Sequence, residues 1–251
     1  ELIRVKNNYG NKAIFGGSYG WASAGRFHHS QSQLHRFLNS IGGYVSSYAS
    51  YSTGAAQAII PHVLGLNFHK VTWGEINSWS MIEKHTDNLI MFGGINPKNS
   101  QVSMGGSTEH DVSKHFKKYG KMGKNMVSIS PQKDDSPKET SWLPINPGTD
   151  VALMLAIAYV LETERLTDQM FLSEYCSGYN QFKKYFLGKN GNLAKTPEWA
   201  SKITGVTSSD IKKLARKIAF GRTIISVSWS LQRAQYGEHP YWMACVLAAM
   251  L

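Results

Sequence analysis

Cysteine is scarce in this sequence of 251 residues, which contains only Cys176 and Cys245. The two lie far apart and neither belongs to a C-x-x-C pair, so the ligand spacing typical of zinc and iron–sulfur sites is missing. The sequence therefore predicts no iron–sulfur cluster in this segment. We expect two core thiols, although the spacing leaves a disulfide between them open.

Other common signatures are also missing. No H-E-x-x-H or H-x-x-x-H spacing occurs, and no G-x-G-x-x-G fingerprint follows any predicted strand. These absences argue against a zinc hydrolase and against ordinary NAD or FAD binding. The longest apolar run, from Val151 to Leu161, is 11 residues and too short to cross a bilayer. We therefore expect a buried helix there and no membrane span in this segment.

Acidic residues are few: 17 Asp and Glu stand against 27 Lys and Arg, a net charge of +10. A basic balance is typical of proteins that bind nucleic acid, anionic lipid or a phosphorylated cofactor. The basic residues include two clusters, Lys114–Lys117–Lys118–Lys121–Lys124 and Lys212–Lys213–Arg216–Lys217. Both follow a helical pattern, so we expect solvated helix faces. A non-redox, basic nucleotide- or nucleic-acid-binding α/β module remains an alternative.

Apolar runs alternate with helical periodicity from about residue 86 onward. Residues 89–92, 126–130 and 223–228 are predicted strands, and 151–163 and 207–220 are predicted helices. This order indicates an α/β fold with a parallel, doubly wound, Rossmann-like sheet and flanking helices. Ligands of such sheets bind in the loops beyond the carboxyl ends of the strands. The corresponding loops here are 93–101, 130–135 and 228–233, and all contain polar or basic residues.

A glycine-rich stretch, F-G-G-S-Y-G-W at 15–21, stands near the start of the chain. Glycine permits positive φ and a close approach of the backbone to a ligand. Tyr19 and Trp21 within it are either core aromatics beside a tight turn or pocket walls with one donor pointing inward. We predict a short strand from Lys12 to Phe15 before the stretch and a helix from Arg26 to Ile41 after it.

Three motifs together carry a resemblance: G-G-S-Y-G-W at 16–21, G-G-Y at 42–44 and Y-S-T-G-A-A-Q at 51–57. In order and spacing they resemble the dimethyl sulfoxide reductase family of molybdopterin oxidoreductases. The similarity is strongest to its biotin sulfoxide, methionine sulfoxide and trimethylamine N-oxide reductase branch, and it covers essentially the whole chain. It implies an internal fragment of a larger multidomain molybdoenzyme. Residues 1–65 would then belong to the domain with the metal ligand and active-site aromatics, and 66–251 to a truncated cofactor-binding region.

The resemblance implies a bis(molybdopterin guanine dinucleotide) molybdenum cofactor. Ser52 matches the serine that ligates the metal in this branch, and an anionic oxygen suits a hard, high-valent metal. On spacing alone, Ser52 could instead cap a helix beginning near Ala55. Tyr19 and Trp21 match the aromatics whose O–H and N–H groups point at the transferred oxygen. Tyr19, Trp21 and Ser52 are therefore the predicted catalytic residues.

Further positions match segments that hold the cofactor in the family. They are Trp21, Lys98, Asn99, Gln101, Ser130, Asp135, Thr149, Asp150, Trp229, Gln232 and Arg233. Asp150 would accept N–H bonds from guanine or, alternatively, cap a helix. Arg233 would contact a phosphate or the substrate oxygen, or form a structural ion pair.

The implied reaction removes oxygen from a small sulfoxide or amine N-oxide by two-electron oxygen-atom transfer. Biotin, methionine and dimethyl sulfoxide and trimethylamine N-oxide all remain open as substrates. The electron donor is unknown, with a c-type cytochrome as one option, and the periplasm is favoured over the cytoplasm. Relatives of the formate dehydrogenase or nitrate reductase type use cysteine, selenocysteine or aspartate as the metal ligand, so Ser52 argues against them.

Overall fold

The computed structural model describes residues 1–21, 23, 25, 27–48, 50–74, 77–101 and 110–251. The chain forms two compact units, Glu1–Tyr51 with Lys98–Asp111, and Ser52–Pro97 with Val112–Leu251. The strands are β1 Asn88–Phe92, β2 Asn125–Ile129, β3 Ser141–Leu143 and β4 Thr223–Val227. The helices are α1 Leu2–Tyr9, α2 Ser30–Ser40, α3 Gly54–Leu64, α4 Trp79–His85, α5 Val112–Lys121, α6 Asp150–Thr163, α7 Gln169–Tyr175, α8 Tyr179–Phe186, α9 Pro197–Thr204, α10 Ser208–Ile218 and α11 His239–Met250.

The second unit is built on a four-stranded sheet in the order β3-β2-β1-β4. Every neighbouring pair is parallel, with Ile90 opposite Val127 on one side and Ile225 on the other. The predicted parallel α/β sheet with flanking helices is confirmed, and so are the three predicted strands. β3 was not predicted, because three residues with an exposed Ser141 and Trp142 show no apolar run.

Both faces of the sheet are covered. Ile90 and Phe92 of β1 face a large core that includes α6, α10 and α11, whereas Leu89 and Met91 face a smaller core with α5. All five residues of β1 are buried. A strand buried on both faces reads as a continuous apolar run, which is why its sequence predicts a central parallel strand.

Helix α6 is the centre of the larger core. Ten of its 14 residues are buried, including Leu153, Ile157 and Leu161, and it packs against α8, α9, α10 and α11. A helix that is apolar on all sides belongs inside a protein or a membrane. Among the described residues, no helix is both long and apolar enough to span a bilayer.

Parts of the two basic clusters are ion-paired. Glu83 of α4 is 5% exposed and accepts from His115 at 2.7 Å and from Lys118, and these partners lower the pKa of its carboxyl group. The Arg216 guanidinium donates to Glu164 at 2.7 and 2.8 Å. The remaining basic residues of α5 and α10 lie mostly at the surface, as expected for the outer faces of amphipathic helices.

The first unit differs from its sequence prediction. Residues 12–15 do not form a strand; Asn11–Ala13 is a 3₁₀ turn, and Phe15 makes a single parallel bridge to Val45. The reason is a nearby polar contact: the Asn11 side chain donates to the Gly43 carbonyl at 2.7 Å, and only Ile14 of this segment is buried. Helix α2 begins at Ser30, and the predicted start at Arg26 lies outside the described residues.

Candidate functional site

The loops that follow β1, β2 and β4 begin side by side at the carboxyl edge of the sheet. The Ser228 N–H donates to the Phe92 carbonyl and the Gly93 N–H to the Ile129 carbonyl, both at 2.8 Å. The strand alignment therefore continues into the loops that follow β1, β2 and β4. This edge is where the topology predicts a ligand site, and it contains most of the predicted cofactor residues.

Ser130 and Asp135 lie in contact in the loop after β2. The Ser130 hydroxyl donates to Asp135 Oδ2 at 3.0 Å, and the Asn96 side chain donates to Oδ1 at 3.3 Å. Gly94 is so close that a β-carbon there would lie 2.6 Å from the Asp135 carbonyl oxygen. Asp135 thus joins the loops after β1 and β2, a role that the sequence did not indicate.

Asp150 begins α6 at the end of the loop that follows β3. Its side chain is buried, with 4% exposure, and its Oδ1 is the one buried side-chain polar atom without a hydrogen-bond partner among the described residues. Burial raises the pKa of this carboxyl group to about 6. The cap position is occupied by Thr149, whose hydroxyl donates to the Asn146 carbonyl at 2.7 Å. Asp150 is therefore an acceptor in a low-dielectric site with one oxygen unsatisfied.

Ser52 lies two residues before α3. Thr53 occupies the cap position of α3, so the alternative in which Ser52 is the cap does not apply. The Ser52 carbonyl accepts from the Gln232 side-chain amide, and Gln232 Oε1 accepts from the Ala55 N–H at 2.9 Å. Two predicted site residues separated by 180 positions are thus brought into direct contact.

Trp229 and Arg233 flank Gln232, which ends a short 3₁₀ helix, Trp229–Gln232. Trp229 is 43% exposed and Arg233 lies at the surface. Arg233 makes no ion pair with any carboxylate that the structure describes. Within that part of the chain, the structural ion pair considered for Arg233 is not found.

Tyr19 and Trp21 belong to the first unit and are 66% and 49% exposed. Their backbone is anchored by α2: the Ser30 hydroxyl donates to the Tyr19 carbonyl at 2.6 Å, and the His35 ring donates to the Gly16 carbonyl at 2.9 Å. Sequence reasoning missed both anchors. The predicted helix from Arg26 to Ile41 contains Ser30 and His35, but no pattern in the sequence relates either side chain to residues 16–19.

Lys98, Asn99 and Gln101 belong to the 3₁₀ helix Pro97–Gln101 and are exposed. The spacing of Thr108 and Asp111 predicts a cap for the next helix, and Thr108 lies outside the described residues. No group of three or more His, Cys, Asp or Glu side chains is arranged to hold a metal within the described ranges. The roles predicted for the individual site residues stay predictions.

Comparison with known proteins gives a consistent result. The family model described as molybdopterin oxidoreductase matches residues 1–251. A trimethylamine-N-oxide reductase of Haemophilus influenzae is 40% identical, and a biotin sulfoxide reductase of Cereibacter sphaeroides is 38% identical, each over the entire chain. The chain spans 30% and 34% of the length of these two relatives.

A solved structure, acetylene hydratase from Pelobacter acetylenicus, shares the fold with a TM-score of 0.57. It is 21% identical, and the match covers 99% of this chain and 31% of that protein. Together with the match of the family model over the full chain, the sheet and its edge loops lead to one conclusion. The chain belongs to the molybdopterin oxidoreductase family.

Proposed function

We propose that this chain is part of a molybdenum-dependent reductase that removes oxygen from a sulfoxide or an amine N-oxide. The observation that carries the proposal is the 38–40% identity, over the whole chain, with reductases named for trimethylamine N-oxide and biotin sulfoxide. A dimethyl sulfoxide/trimethylamine N-oxide reductase of Rhodobacter capsulatus is 36% identical over the same span. The alternative of a non-redox basic module has no support from these relatives.

The guanine dinucleotide form of the cofactor is part of the proposal, and the residues present fit it. A buried carboxylate oxygen without a partner costs free energy unless a ligand donates to it. The Oδ1 atom of Asp150 is such an acceptor, at the sheet edge where dinucleotides bind. Guanine offers adjacent N–H donors that suit a carboxylate, so Asp150 would hold the base.

Other residues would hold the rest of the cofactor. Within the second unit, Ser130, Asp135 and Thr149 supply polar groups near the same edge, and Trp229 and Arg233 supply an indole and a cation. In the first unit, Lys98, Asn99 and Gln101 supply a further cation and two amides. An exposed guanidinium or ammonium group suits a phosphate. Ser52 would contribute the protein's own ligand to the metal.

The bound centre would supply two electrons and accept the oxygen atom of the substrate. A sulfoxide or N-oxide, two electrons and two protons give the sulfide or amine and one water. The Tyr19 hydroxyl and the Trp21 indole N–H would donate to the substrate oxygen, where negative charge develops. These donors would orient the oxide and stabilise that charge, and Ser52 would hold the metal.

Three further points stay predictions from the resemblance. The substrate within the oxide class is open, since small differences in a pocket decide among such molecules. A redox protein, with a c-type cytochrome as one option, would deliver the electrons. The periplasm is the favoured compartment, and the cytoplasm is the alternative.

Oxide reduction by the full-length protein tests the proposal. We expect a reduced viologen dye to be oxidised with at least one of trimethylamine N-oxide and dimethyl, methionine or biotin sulfoxide. The Ser52→Ala variant should lose this activity by about a hundredfold or more, because the ligand interaction is lost. Ser173→Ala, on the exposed side of α7, is the matched control and should retain full activity. Equal activity of Ser52→Ala and wild type would remove Ser52 from the ligand role.

A further inference from the structure

The Gln232 side chain connects the loop after β4 to the turn that contains Ser52. Its Oε1 accepts from the Ala55 N–H at 2.9 Å and the Ala56 N–H at 3.4 Å. Its Nε2 donates to the Ser52 carbonyl. One side-chain amide thus bonds to the carbonyl of Ser52 and to the N–H groups in the first turn of α3.

Helix α3 needs this amide because it has no cap of its own. The first N–H groups of a helix have no partner within the helix and require an outside acceptor. Thr53 at the cap position makes no such bond; its hydroxyl oxygen instead accepts from the Gln57 side chain at 2.8 Å. Gln232 therefore supplies the acceptor that a capping serine or threonine ordinarily provides.

Gln232 is itself held firmly. It is 7% exposed, and Gly237 packs so tightly against its backbone that any β-carbon at Gly237 would collide with the Gln232 carbonyl. The chemistry also fixes the amide orientation: two N–H donors require the oxygen on one side, and a carbonyl requires the nitrogen on the other. Glutamate has the same shape but would place an acceptor against the Ser52 carbonyl.

We propose that Gln232 is a positioning residue that sets the backbone of residues 52–56 and thereby the direction of the Ser52 side chain. The proposal rests on the proposed function, because it takes Ser52 as the metal ligand. It requires an amide at position 232 and not merely a polar group. The positioning role also explains why Gln232 is buried, although most of the loop around it is exposed.

Hydrogen exchange of the full-length holoenzyme tests the contact itself, independently of activity. In Gln232→Glu, a carboxylate oxygen replaces the donor to the Ser52 carbonyl, and the two oxygens repel each other. This repulsion should displace the side chain, so the amides of Ala55 and Ala56 should exchange about tenfold faster or more than in wild type. Gln181→Glu, an exposed glutamine on α8, is the control with the same chemical change and should leave this exchange unaltered. Unchanged exchange in Gln232→Glu overturns the proposal. If that variant does not accumulate, Gln232→Met, which has similar length and no charge, is measured in its place.

The electron paramagnetic resonance spectrum of the molybdenum tests the consequence for Ser52. We expect the Gln232→Glu spectrum to move toward that of Ser52→Ala, with molybdenum content retained and kcat lowered more than KM is raised. Faster exchange with a wild-type spectrum would make Gln232 only a helix cap and overturn the positioning role. A wild-type spectrum in Ser52→Ala itself would contradict the assignment of Ser52 as the metal ligand, and it would overturn the positioning proposal as well. The exchange measurement would still show whether Gln232 caps α3.

Discussion

Among the described residues, Asp150 gives the clearest indication of a bound ligand, because it is a buried carboxylate with one oxygen unpaired. Asp150 is fully enclosed, its Oδ1 has no partner among the described residues, and burial raises its pKa to about 6 from an ordinary value of 3.8. At neutral pH the folded protein therefore holds a charge in a site that penalises it. Under the proposed function, donors of the guanine base would offset this cost in the loaded protein.

Asp150→Asn should therefore have opposite effects on the empty and the loaded protein. Because the folded pKa is raised, the ionised carboxylate lowers stability above about pH 6, and this penalty disappears as the pH falls toward 3.8. In cofactor-free protein, the variant should be more stable at pH 7, by up to about 3 kcal/mol, with the gain vanishing near pH 4. Thermal unfolding between pH 4 and 8 measures this difference.

The same Asp150→Asn variant should retain less guanine nucleotide than wild type when purified from a cofactor-producing host, because an amide cannot accept from both guanine donors. Asp134→Asn, an exposed carboxylate in the neighbouring loop, serves as the control for both measurements. Unchanged nucleotide content in Asp150→Asn would remove Asp150 from the base site.

The motifs predict which residues form the site, and this stays a prediction; they do not predict which of those residues are in contact. The sequence motifs indicated Ser52 and Gln232 separately, and nothing in the sequence relates two positions that lie 180 residues apart. The capping role of Gln232 was likewise hidden, because Thr53 and Ser52 are both good capping residues by type. Tertiary structure decides which acceptor the helix uses.

At the scale of elements, the edge loops are held together by close backbone contact. Gly94 has φ +70° and leaves only 2.6 Å between an added β-carbon and the Asp135 carbonyl oxygen. Gly123 has the same φ of +70° but has nothing within 4 Å of such an atom. Alanine at these two positions therefore distinguishes the free-energy cost of a positive φ from the free-energy cost of steric crowding.

Gly94→Ala should destabilise the protein more than Gly123→Ala does. Both variants should lose about 1–2 kcal/mol because alanine disfavours positive φ. Gly94→Ala should lose a further 1–3 kcal/mol, roughly, since the Asp135 loop must move. The comparison is made by the thermal-unfolding midpoint and by hydrogen exchange in residues 130–135. Equal losses in the two variants would mean that the loops are not in close contact.

Elements with strong local signals were predicted well. The sequence predicts helices that begin at Thr196-Pro197 and at Thr207, and each of these threonines accepts from a backbone N–H at 3.1 Å. Pro61 predicts a stop or a kink in the helix that begins near Ala55, but α3 continues past it to Leu64 and ends at Gly65 with φ +66°. Short elements such as α4 and β3 escaped prediction because three to seven residues carry too little periodicity.

At the scale of the whole molecule, the fold class followed from the order of strands and helices, but the division into units did not. Residues Ser52–Pro97 belong to the unit that contains the sheet, and α3 within them packs against α11. The small core they share contains residues far apart in sequence, such as Ile60 and Tyr241. The division at residue 65 is implied by the family resemblance alone, and it stays a prediction.

The chain is about a third of the length of its relatives, so the decisive measurement concerns the full-length protein. That measurement is the molybdenum and guanine nucleotide content after purification from a host that makes the cofactor. We expect about one molybdenum and about two guanine nucleotides per chain, as a bis(molybdopterin guanine dinucleotide) centre requires. A protein without molybdenum, from a host that loads a control enzyme, would contradict the account.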